Sequence, residues 1–163
     1  NSNNFSLKMI AISQIYILML SISHYKIIAI GKIRKHWIQE GIKMYLKRLP
    51  GLKIIEIKDS YQTKEEYTIK EIIKKNETLV ILNENGQCCT SKQLAEKLSG
   101  FHNQNITFVL GGATGLSSSL NSYATWQLSL SSFTFPYEIA RLLLIEQLYR
   151  AKTIAEGSPY HKE

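Results

Sequence analysis

The chain has 163 residues, 44% of them hydrophobic and 20% charged, which suits one domain with its own core and argues against a largely disordered chain. Its net charge of +7 is uneven: residues 1–75 carry 14 Lys/Arg against 6 Asp/Glu, residues 76–163 carry 6 against 7, so a polyanionic partner would meet the first part. Cys88 and Cys89 are adjacent and the four histidines are scattered, a pattern that fits neither a disulfide scaffold nor a structural zinc site and points to a reducing, cytoplasmic setting.

Residues 1–24 read as an apolar N-terminal extension. Its stretch 9–22 follows Lys8, is short for a membrane span of about 20 residues, and precedes a poor small-residue cleavage site. An appendage without catalytic meaning is the favoured reading; an anchoring tail, an upstream in-frame extension before a later start, and an added strand or helix are the alternatives. Residues 25–31, closed by Gly31, predict a first core strand. Apolar positions Trp37, Ile38, Ile42, Tyr45, Leu46 and Leu49 recur at helical spacing until Pro50-Gly51 stops them. Residues 52–57 predict a second strand and residues 65–75 a charged helix with Ile69, Ile72 and Ile73 on one face. Residues 78–82 form a continuous apolar run, the mark of a strand buried on both sides, and Asn83-Glu84-Asn85-Gly86 turns out of it. Thr90 with Gln93 is a capping-box pattern opening a helix through Leu98. A fourth strand over 105–110, a short helix over 117–123, a fifth strand over 126–131 and a helix from Pro136 to about Lys152 complete the series. Strands alternating with helices predict one α/β domain over residues 25–163, with a mainly parallel sheet flanked by helices.

Ligands of such sheets bind beyond the carboxyl ends of the strands. Three of those ends, at 82–86, 111–115 and 131–135, carry turn-forming or small residues. The loop Gly111-Gly112-Ala113-Thr114-Gly115 is neither the GxGxxG fingerprint nor a GxxxxGK[ST] loop, and it holds no lysine for phosphates. A polar ligand with little phosphate charge suits it better; the competing reading is a tight turn only. Ser131, Ser132 and Thr134 lack the GxSxG context of a nucleophile and read as hydrogen-bonding turn residues. The last helix is apolar nearly all round, so it is buried on two sides, either in the core alone or with a second subunit.

Five pieces of this chain occur together in a known order: residues 26–32 (KIIAIGK), GGATGL at 111–116, SLSSFTFP at 129–136, RLLLIEQLYRA at 141–151, and the terminal PYHKE. Over residues 25–163 they resemble the ribosomal RNA large-subunit methyltransferase H family of the SPOUT superfamily. The resemblance implies a SPOUT-type α/β fold with a deep trefoil knot near the C-terminus, acting as a homodimer on assembled ribosomes, with neither metal nor membrane. It implies methyl transfer from S-adenosylmethionine to N3 of a pseudouridine in the helix 69 loop of 23S rRNA. The family's cofactor contacts fall on Leu82, Gly111, Leu130, Ser131, Ser132, Phe133, Thr134 and Phe135. Arg141, Tyr160 and His161 are the candidates for the RNA side, where His161 or Arg141 of either subunit would favour the deprotonated base. Tyr137 stands where relatives often carry histidine, so no general-base role follows there. Alternatives are an RNA-binding protein of the same fold without activity, a methyltransferase of another rRNA or tRNA nucleotide, and a membrane-associated function resting on residues 9–22 alone.

Overall fold

The computed structural model describes residues 20–101 and 103–162. Most of the expected extension, residues 1–19, lies outside them. Five strands, β1 (Tyr25–Ile30), β2 (Lys53–Ile57), β3 (Glu77–Cys88), β4 (Asn105–Leu110) and β5 (Trp126–Ser129), form one sheet in the order β2-β1-β4-β3-β5. Every pairing is parallel. Five helices, α1 (His36–Leu46), α2 (Gln62–Ile72), α3 (Ser91–Gly100), α4 (Ser118–Asn121) and α5 (Tyr137–Ala155), make the crossovers and the last element.

Alternation along β1 explains why both sheet faces are covered. Ile27 and Ala29 pack with Val80, Phe108 and Leu110 under α1, α3 and α5, whereas Ile28 and Ile30 pack with Leu79, Ile81 and Val109 against α2 and α4. Leu144, Ile145, Leu148 and Ala151 of α5 are fully buried in the larger cluster. Each Leu or Ile there contributes roughly 1.5–3 kcal/mol by leaving water. Leu20 and Ile22, inside the expected extension, are also buried in this cluster.

Several local expectations meet their physical cause. Both halves of the Thr90–Gln93 capping box form. The start of α1 lacks a side-chain cap of its own; Glu138 Oε2 of α5 accepts the amides of Arg34 and Lys35, each at 3.1 Å. Burial works against the charge of Glu138, but these amides outweigh it and hold the carboxyl below its ordinary range. Pro136 is the residue before α5 rather than its first, with an extended ψ of 141°. Strand β5 ends at Ser129, two residues early, because Ser129 Oγ donates to the Ser131 carbonyl (2.9 Å) and Ser131 Oγ accepts the Phe133 amide (3.1 Å). The largest departure is in β3. Asn83-Glu84-Asn85-Gly86 does not leave the strand but makes an excursion within it, so that Leu128 faces both Leu82 and Gln87.

Candidate active site

The middle of β3, where its excursion begins at Leu82–Glu84, and the carboxyl ends of β4 and β5 surround a cleft of about 700 Å³, closed on one side by the start of α5. That volume is ordinary for a small-molecule site. Leu82, Gly111, Leu130, Ser131, Phe133, Thr134 and Phe135 all line it. Ser132, the eighth candidate, is exposed on the same turn without lining the cleft. Three segments far apart in the chain are thus brought to one place by the parallel sheet.

Gly111 is where the chain passes too close to itself for any side chain. A Cβ there would sit 2.9 Å from the Gly115 carbonyl carbon and 3.0 Å from the Leu116 nitrogen. The Gly115 amide donates to the Gly112 carbonyl at 3.1 Å, and Gly115 itself has φ +71°, which glycine adopts at no steric cost. The turn therefore offers backbone rather than side chains to a ligand. It is braced from outside by Gln62 Nε2, which donates to the Thr114 carbonyl at 3.0 Å. Ser117 and Ser119 add to this by donating to Glu66. Lys70 Nζ, which donates to the same carboxylate, has the largest effect and with those hydroxyls lowers the Glu66 carboxyl from 4.5 to about 2.

Arg141 does not line the cleft. It is 2% exposed, donates through Nη2 to the carbonyls of Gly31 (2.7 Å) and Ile30 (3.3 Å), and through Nη1 to Glu56 (2.9 Å). It fixes the exit of β1 from behind. Tyr160 and His161 lie elsewhere again, on the surface formed by α5 and α1. Tyr160 Oη donates to Glu146 (3.2 Å) and meets Tyr45 Oη at 3.3 Å, and His161 Nδ1 is 3.3 Å from Arg150 Nη1. Burial pushes the Tyr160 phenol up, reinforced by Tyr45 and Glu146. Neither tail residue lines the cleft of its own chain.

Sequence reading put 82–86 on the ligand side without singling out Asn83 or Glu84, and it missed Tyr137 as a cleft residue. An acid on the turn at the end of a fully buried strand was the available signal for Glu84. Tyr137 Oη donates to the Lys32 carbonyl (3.3 Å), and its ring lies 3.3 Å from where a Cβ of Gly31 would be. Among the described residues no three His, Cys, Asp or Glu side chains converge as metal ligands, and no helix is long and apolar enough to cross a membrane.

Comparison with known proteins decides the family. A family model described as "Predicted SPOUT methyltransferase" matches residues 23–161. A ribosomal RNA large subunit methyltransferase H from Prochlorococcus marinus (strain NATL1A) is 79% identical over 89% of this chain and 100% of the relative. The chain belongs to the ribosomal RNA large subunit methyltransferase H family. Members from Prochlorococcus marinus (strain MIT 9211) and Synechococcus sp. (strain CC9902) are 54% and 50% identical, covering 88% and 86% of this chain and 99% and 97% of theirs. A solved methylase-family protein from Haemophilus influenzae Rd KW20 shares the fold, with a TM-score of 0.55 and 14% identity over 87% of this chain and 72% of its own. Membership of the methyltransferase H family thus agrees with the mainly parallel sheet flanked by helices.

Proposed function

We propose that this protein is an S-adenosylmethionine-dependent methyltransferase of 23S rRNA that modifies N3 of a pseudouridine in the helix 69 loop, working as a cytoplasmic homodimer on assembled ribosomes. The observation that carries the reading is a cleft built from a glycine turn and a serine-rich turn, with no lysine or arginine lining it among the described residues. Such a lining fits an adenosyl ligand without phosphates and disfavours a nucleotide polyphosphate. Leu82, Gly111, Leu130, Ser131, Phe133, Thr134 and Phe135 would hold the cofactor, with Ser132 shaping the turn. Residues 25–163 would be the methyltransferase domain, carrying the trefoil knot that the family resemblance implies.

S-adenosylmethionine supplies an already activated methyl group, so the protein needs no covalent nucleophile. Its own task is alignment: the backbone cradle and the turn at 131–135 orient the donor, and the acceptor nitrogen must be brought in line with it. The acceptor N3 must also lose its proton. Of the three candidates on the RNA side, Arg141 is a positioning residue, since it is spent on the Gly31 and Ile30 carbonyls. Tyr160 and His161 are left to meet the acceptor, from the tail of the partner subunit, because they pack outside their own cleft. The half-buried apolar side of α5, with Leu142 against Gly41 of α1 and with Trp37 (59% exposed) and Met44 (44%) on α1, supports a dimer. The basic excess of residues 1–75 supports a polyanionic substrate.

Mass mapping of 23S rRNA from cells with and without this gene tests the proposal. Loss of one methyl group in the helix 69 loop is the expected result; unchanged rRNA refutes it. Methylation lost from a different rRNA or tRNA nucleotide would keep the enzyme class and replace the target.

A further inference from the structure

One charged side chain lines the cleft among the described residues, and it is a carboxylate, Glu84. Its backbone is held on the excursion inside β3 by three constraints. A Cβ on Gly86 would lie 2.8 Å from the Gln127 carbonyl oxygen, so the chain crosses β5 there in close contact. Asn83 Nδ2 donates to Gln127 Oε1 at 2.8 Å, and Asn83 Oδ1 accepts the Asn85 amide at 3.0 Å. Glu84 Oε2 then accepts from Thr134 Oγ1 at 3.1 Å, which ties the carboxylate to the opposite wall. A carboxylate oxygen has capacity for further donors or for a neighbouring positive charge.

No cationic side chain lines the cleft among the described residues, so the solvent-exposed Glu84 carries the one formal side-chain charge there. Reading a ribose hydroxyl would need only a neutral acceptor; a carboxylate in addition selects on charge. S-adenosylmethionine and S-adenosylhomocysteine share every part except the sulfonium methyl, and they differ by one positive charge. We propose that Glu84 reads that charge, strengthening binding of the methylated cofactor and leaving the demethylated product without the contribution. The site thereby favours exchange of spent product for fresh cofactor. This rests on the cofactor reading above.

Titration calorimetry of the full chain with S-adenosylmethionine, S-adenosylhomocysteine and sinefungin, an analogue bearing an ammonium near the sulfonium position, tests it in the unmodified protein and in Glu84→Gln. The substitution is expected to weaken S-adenosylmethionine and sinefungin roughly five-fold, the effect of one largely water-screened charge pair, and to leave S-adenosylhomocysteine nearly unchanged. In the unmodified protein, raising the salt should narrow the preference for the two cationic ligands over S-adenosylhomocysteine. This arm needs no variant. Equal weakening of all three ligands would place Glu84 on a part they share, the ribose or the α-ammonium, and overturn the proposal, as would no weakening at all. An unmodified protein that binds none of the three would instead remove the cofactor reading itself, and this inference with it.

Discussion

Gly111→Ala isolates the backbone cradle, because space alone opposes the new methyl group; the conformation of Gly111 does not. The added Cβ would lie 2.9 Å from the Gly115 carbonyl carbon, 3.0 Å from its Cα and 3.0 Å from the Leu116 nitrogen. Comfortable carbon contacts begin at about 3.5 Å, so the turn must open by roughly half an ångström or more. All three obstructing atoms are backbone, and no rotamer change relieves them. Overpacking of this kind costs about 1–3 kcal/mol, which lowers Tm by about 2–12 °C in a chain of this size. A ligand held by the displaced amides loses at least one hydrogen bond, or about ten-fold in affinity. Calorimetric titration with S-adenosylmethionine, alongside a thermal melt, reads both effects. Gly100→Ala is the control, since a Cβ there meets nothing within 4 Å. A Gly111→Ala protein with unchanged Tm and unchanged cofactor affinity would refute both the tightness of the turn and its role.

Arg141→Met removes the bonds to the Gly31 and Ile30 carbonyls and to Glu56; Glu56 is 43% exposed and rehydrates, so we expect a loss of about 2–3 kcal/mol in denaturant unfolding, and full stability with lost activity would contradict the positioning role. Glu66 has its folded pKa lowered from 4.5 to about 2, so its stabilising bonds to Lys70, Ser117 and Ser119 are fully present above pH 4.5 and fade as pH falls towards 2. Carboxyl NMR should show that midpoint, and a Glu66 titrating near 4.5 in the folded protein would remove the effect. His161→Ala should slow single-turnover methylation and change its pH profile, whereas an identical profile removes His161 from proton handling. Trp37→Asp should shift the protein towards monomer in sedimentation; an undisturbed dimer would move the interface away from α1.

What could be read from the chain alone depended on how local the cause was. The strand 105–110 and the Thr90 capping box are local, and the structure reproduces both. The three loops at 82–86, 111–115 and 131–135 were legible from the alternating strands, the family resemblance singled out Leu82, Gly111 and Phe135 within them, and the parallel sheet does bring these together. The excursion at 83–86 was not legible, because its cause is the close approach of Gly86 to Gln127, a residue 41 positions later. The burial of Arg141 was hidden for the same reason: its partners are on β1 and β2, more than 80 residues earlier. An arginine amid the apolar run of a helix looks like a ligand group until the carbonyls it serves are seen. Glu84 went unremarked because turn acids are common, and only the uncharged surroundings give it weight.

The strand order has a consequence for how the molecule is made. β1 lies between β2 and β4, so the earliest strand of the sheet must wait for residues 105–110 before its second edge is covered. β5 then joins on β3, and the start of α5 seals the cavity only after Tyr137 and Ala140 have been added. A nascent chain therefore has no finished receptor for a small molecule until it has grown past Ala140. Added ligand cannot rescue fragments that stop before β5, and early exposure of unpaired, strongly apolar strands makes this protein dependent on prompt completion.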